Sequence, residues 1–68
     1  MLYTLPPNLL IKGSGPAIYI VFNGQRWEFS DWPTYLAYGG APDLSNVLVM
    51  RDDELAFIPL GPIVPRKQ

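Results

Sequence analysis

The sequence predicts a small α+β domain: a three- to four-stranded, mostly antiparallel sheet with two short helices on one face, flanked by extended proline-rich arms. Three observations carry this. Residues 18–29 form two strand-like runs about Asn23-Gly24 whose side chains alternate between two faces, which is a hairpin pattern. Two short segments each carry their own helix start and stop signals. Eight prolines in 68 residues, more than twice the usual share of about 5%, gather toward the two ends.

The size and composition bound what the chain can be. It is 49% apolar and 13% aromatic with only 16% charged residues, which suits one small core. A chain this short buries only about 60% of its unfolded surface. It has no Cys and no His, so disulfides and the two commonest transition-metal ligands are both missing. Packing, stiff proline segments or association must stabilise it instead. Five basic against six acidic residues leave a net charge of −1 and no basic stripe for a phosphate backbone, so no nucleic-acid partner is expected. No apolar run reaches the roughly 20 residues that span a bilayer, so no membrane partner is expected either. Residues 1–7 lack a basic n-region and a long apolar stretch, which is not a secretory signal. The expected location is the cytoplasm, or a virion if the protein is phage-encoded.

Taken in order, residues 1–12 read as an N-terminal extended arm. Pro6-Pro7 stops a helix there and pushes Leu5 to an extended backbone, and residues 8–12 form a short apolar run that can make a strand. The globular core is residues 13–58. Gly13-Ser14-Gly15-Pro16 turns the chain into the hairpin. An Asn-Gly pair supplies the two positive-φ positions of a type I′ turn, and counting outward pairs Phe22 with Gln25, Ile20 with Trp27 and Tyr19 with Glu28. Ile18, Ile20, Phe22, Trp27 and Phe29 then share a core face. Tyr19, Val21, Arg26 and Glu28 share the other, which suits water or a partner.

Ser30-Asp31-Trp32-Pro33 opens a helix, since Ser30 or Asp31 can cap it and Pro is tolerated in the first turn. The helix runs through Tyr35, Leu36 and Tyr38 and stops at Gly39-Gly40. Residues 47–50, an uninterrupted apolar run, read as a strand buried on both faces or central in the sheet. Asp52, Asp53 and Glu54 start a second helix over residues 53–57, where acidic side chains suit the helix dipole. Pro59, Gly61, Pro62 and Pro65 exclude regular structure beyond, and residues 59–68 read as the C-terminal arm.

The motif GPxIYIVxNGQRW at residues 15–27, followed by DWPxYxAxG at 31–39, NVxV at 46–49 and ELxxIPxGP at 54–62, resembles a short module in bacterial and phage surface proteins. Such units stand singly or in tandem, sometimes beside cell-wall hydrolase domains, and the resemblance implies a non-catalytic binding or spacer role. This copy stands alone with its own arms, which fits a small phage particle protein better than a bacterial adhesin.

No residue pattern carries catalysis, so no enzyme is expected. Asp52-Asp53-Glu54 lacks the spacing of a calcium loop and reads as a helix start, so no metal site is expected. Glu28 with Asp31 resembles a glycosidase pair in residue type only. Ser14, Ser30 and Ser45 have no His to activate them. Gly13-Ser14-Gly15 lacks the spacing and Lys of a phosphate loop, and no cofactor is implied. The aromatic set Tyr19, Trp27, Trp32, Tyr35 and Tyr38 is large for the chain's size, with Trp27 placed in the core and Trp32 and Tyr19 outside. Trp and Tyr anchor protein interfaces and also stack on sugars. The arms are apolar yet cannot be helices, and preset extended segments lose little entropy on docking. The candidate partner-binding residues are therefore Tyr3, Leu5, Tyr19, Arg26, Trp32, Leu60 and Ile63. The expected function is a non-enzymatic structural protein, a minor virion component in a homo- or hetero-oligomeric assembly. The alternatives are a glycan or cell-wall-polymer binding module and a small inhibitor of a host protein.

Overall fold

The computed structural model describes residues 8–66. Its centre is a four-stranded mixed sheet, mostly antiparallel, with two short helices. The strands are β1 (Leu10–Lys12), β2 (Ile18–Phe22), β3 (Gln25–Glu28) and β4 (Leu48–Val49), in the order β3-β2-β1-β4. The hairpin forms as the Asn-Gly pair dictates. Asn23 and Gly24 sit at φ of 57° and 76°, and β2 pairs β3 as Phe22–Gln25, Val21–Arg26, Ile20–Trp27 and Tyr19–Glu28.

The short run after Pro7 becomes β1, which lies between β2 and β4 in the sheet. It pairs antiparallel with β2 (Leu10–Ile20, Lys12–Ile18) and parallel with β4 (Ile11–Leu48, Lys12–Val49). The run at residues 47–50 is not the central, doubly buried strand its composition suggests. Only Val47 is buried, β4 is two residues long, and Val49 is 67% exposed. Hydrophobicity marks a strand but not its place in the sheet. With β1 as its one partner, β4 ends up at an edge.

The first helix, α1 (Trp32–Ala37), is capped by Asp31, whose Oδ1 accepts the Thr34 N–H at 2.9 Å, and Pro33 lies in its first turn. Gly39, at φ 95°, ends it. Behind it, Gly40 passes so close to Tyr35 that a Cβ there would overlap the ring. The second helix, α2 (Asp52–Ala56), starts one residue earlier than expected. Its first-turn acids are all engaged. Asp52 accepts the backbone N–H of Ser14 at 2.9 Å and the Ser14 hydroxyl, Asp53 pairs with Arg51 at 3.0 Å, and Glu54 reaches back to the Arg51 N–H at 3.3 Å.

The two helices lie on opposite faces, not on one. Alternation along β1 makes this necessary: Leu10 and Ile11 point to opposite sides and both are buried, Ile11 completely. On one side Leu10, Ile20 and Phe29 pack with Tyr35 of α1, Val47 and Val64. On the other, Ile11, Val21 and Ile58 pack with Leu55 of α2, Tyr19 and Met50. The hairpin face open to "water or a partner" in the sequence is covered by α2 and the residues after it.

Residues 59–64 run along the outer edge of β3, after which Pro65 and Arg66 meet Tyr38 and Asp31. The Arg26 N–H donates to the Pro59 carbonyl (2.8 Å), Gly61 N–H to the Arg26 carbonyl (2.9 Å) and Val64 N–H to the Glu28 carbonyl (2.9 Å). The prolines at 59, 62 and 65 leave the needed donors at 61 and 64 intact, and Val64 is buried in the core. The segment thus covers a sheet edge that would otherwise invite pairing with another chain.

Candidate functional site

The described surface carries eight exposed large apolar side chains. Phe22, Trp32, Leu36, Leu48, Val49, Phe57, Leu60 and Ile63 are all exposed, and Phe57 is 87% exposed. Their placement follows from register. Parallel pairing puts Leu48 on the same face of the sheet as Ile11, and the Arg26–Leu60 bridge puts Leu60 on the face of Arg26. Both belong to the side that carries α2, at opposite edges, and Phe57 follows α2 directly. Exposed apolar side chains therefore stand at both edges of the α2 side.

The residues selected from the sequence divide among three places. Tyr3 and Leu5 lie outside the described residues. Tyr19, Arg26 and Leu60 come together: the Arg26 guanidinium carbon lies 4.8 Å from the centre of the Tyr19 ring, and its Nε donates to the Ile58 carbonyl at 2.9 Å. Tyr19 is half-buried beneath that arginine rather than free. Arg26 therefore spends its charge on holding the residues after α2 against the hairpin. Ile63 projects outward between the buried Val64 and Pro62. Trp32 stands apart, 46% exposed, at the start of α1.

Trp32 borders a cleft of about 300 Å³ that Ile18, Phe29 and Tyr35 also line, together with Glu28 and Asp31. The rings stack in series, Trp32 to Tyr35 at 4.9 Å and Tyr35 edge-on to Phe29 at 5.7 Å. Tyr35 is anchored beneath by its hydroxyl, which donates to the Ala41 carbonyl at 2.7 Å, and burial raises its pKa above the usual phenol value. Asp31 is fully engaged. Thr34 lowers its pKa by hydrogen bonding, and Arg66 adds to this through an ion pair at 2.7 Å. A glycosidase acid must be held protonated, so Asp31 does not suit that role. Glu28 makes no side-chain hydrogen bond or ion pair among the described residues. A second, apolar cleft of about 350 Å³ lies between Ile20, Phe22, Trp27, Tyr38 and Val64. There Trp27 is half-buried, with its indole N–H donating to the Phe22 carbonyl at 3.2 Å and its ring edge-on to Phe22.

Sequence reasoning missed Phe22, Leu48, Val49 and Phe57 as surface residues. Phe22 immediately precedes the turn, at the tip of the hairpin where the sheet offers least cover, and that signal was readable. The exposure of Leu48 and Val49 depends on the edge position of β4, which nothing local encodes.

Compared with known proteins, the chain matches no family model, no curated protein and no solved structure. Among the described residues no helix is long and apolar enough to cross a membrane.

Proposed function

We propose that the chain is a non-enzymatic protein-interaction module that works within an assembly, a minor capsid or tail component of a phage particle. The observation that carries the reading is the spread of exposed apolar side chains, Leu48, Phe57 and Leu60, across the α2 side of a molecule with a small core. Soluble monomers rarely leave large apolar patches uncovered, and patches that remain commonly mark protein contacts. The phage setting rests on the resemblance of the motifs at residues 15–62 to phage surface modules. The C-terminal segment takes part through its outward residues Leu60 and Ile63 while its inward residue Val64 holds it to its own core.

The test is molar mass by light scattering of the full chain and of Leu48→Glu, Phe57→Glu and Leu60→Glu, alone and with the co-purifying assembly. These side chains are exposed, so the substitutions leave the core intact. Association that the full chain shows and the variants lose supports the reading. Equal behaviour of all four proteins sinks it. Removing residues 59–68 is not an equivalent test, because it also strips Val64 from the core.

A glycan-binding reading has one specific observation in its favour, the half-exposed Trp32 ring on a cleft. Quenching or enhancement of tryptophan fluorescence by soluble cell-wall polymer tests it.

A further inference from the structure

We propose that the apolar cleft between Phe22, Trp27 and Tyr38 is the seat of the chain's own N-terminal segment, with Leu5 and Tyr3 as the side chains that fill it. The inference does not depend on the interaction reading above, because this cleft lies on the α1 side, where the buried Ile20 and Val64 form its floor. The polar groups of its rings are engaged. The Trp27 indole N–H donates to the Phe22 carbonyl at 3.2 Å, and the Tyr38 hydroxyl donates to the Pro65 carbonyl at 3.0 Å. No charged residue lines the cleft. What it offers is uncharged ring and aliphatic surface, with Phe22 still 51% exposed.

The occupant follows from where the chain enters the fold. Asn8 lines this same cleft, and its N–H donates to the Val21 carbonyl at 2.8 Å, which tethers residues 1–7 at the lip. Asn8 also takes a left-handed φ of 63°, which bends the chain at that point. Residues 1–7 carry no charged side chain, and neither does the lining. Leu5 stands three residues before Asn8 and Tyr3 five, which gives reaches of at most about 11 and 18 Å, and alternation in an extended chain puts both on one face. Pro6-Pro7 stiffens the link, so little entropy is lost on docking. A segment tethered this closely competes with any free partner at an effective concentration of roughly millimolar order.

The experiment is NMR of the ¹³C,¹⁵N-labelled full chain, with a second sample that mixes labelled and unlabelled chains in equal amounts. The expected result is a set of nuclear Overhauser contacts from the Leu5 methyls and the Tyr3 ring to the Trp27 and Phe22 rings. These should be missing from the spectrum of the mixture filtered for contacts between chains. The double variant Tyr3→Ser with Leu5→Ser leaves the described fold untouched. It should move the Trp27 indole N–H, leave the Trp32 indole in place, and quicken hydrogen exchange at the Asn8 amide about tenfold. Leu5→Met, which keeps an apolar side chain of similar size, should preserve the Trp27 position. The absence of contacts from Leu5 and Tyr3 to the Trp27 and Phe22 rings overturns the proposal, as does a Trp27 indole that the double variant does not move. Contacts that appear only between chains overturn it in favour of a second copy's segment. Leu48, Phe57 and Leu60 lie outside this cleft, so their effect on association stands or falls separately.

Discussion

Single side chains do several unrelated tasks in a molecule this small. Tyr35 is buried, stacks between Trp32 and Phe29, and ties the loop at Ala41 through its hydroxyl. Tyr35→Phe keeps the ring and orphans one carbonyl, so we expect a loss of about 1–2 kcal/mol in urea unfolding. Gly24→Ala should cost about 1 kcal/mol in the same assay, because φ of 76° penalises a Cβ. The titrating groups give the pH dependence a definite sign. Hydrogen bonds to Thr34, Ser45 and Ser14 lower the pKa values of Asp31, Asp43 and Asp52 respectively. A lowered pKa means the folded state favours the charged form. The stability from these groups is complete above the ordinary carboxylate value of about 4 and is lost as pH falls through the folded values. Tyr35 has the opposite sign of shift, so its contribution is complete below the ordinary phenol value of about 10 and is lost as pH rises through the raised one. With no His in the chain, thermal midpoints should stay flat from about pH 5 to 9 and fall on either side. A step near pH 6.5 would contradict this reading.

The elements differ in how strongly their own residues specify them. The hairpin was legible down to its register, because turn type and side-chain alternation leave one consistent solution. α1 was legible in its cap and its glycine stop, whereas β4 was legible only as a strand. The C-terminal segment has no regular hydrogen-bonding pattern of its own, yet neighbouring residues differ sharply: Val64 is buried and Ile63 is exposed. Val64→Ala should therefore cost about 2 kcal/mol, from lost transfer energy and the cavity left behind, while Ile63→Ala should stay within about 0.5 kcal/mol. Equal effects of the two, measured by chemical denaturation, would mean that the segment does not lie along β3. Asp31→Ala should cost about 1 kcal/mol through the lost cap, and Arg66→Ala much less, since the arginine is mostly exposed.

For the molecule as a whole, the sheet is too small for a core on one side only. β1 and β2 bury side chains on both faces, so two separate clusters form, one under α1 and one under α2. Each cluster is thin, and apolar residues at the periphery remain in contact with water. We expect association to weaken with Leu48→Glu or Phe57→Glu while the unfolding midpoint in dilute solution hardly changes. The candidate site was legible only in part. Trp32 was identified because an early helical position leaves a large ring uncovered. Its cleft could not be, since it joins residues 18, 28, 29 and 32 through the end of the hairpin and the start of α1.

The sequence by itself determined the hairpin and its register, the caps and stops of α1, and the α+β class. These rest on interactions within a few residues of one another, which local order fully encodes. Only the tertiary structure decided that β1 lies inside the sheet and β4 at its edge, that the helices take opposite faces, and that residues 59–64 close the β3 edge. Those outcomes depend on competition between distant apolar segments for a limited buried area, and no short stretch of sequence carries the result of that competition.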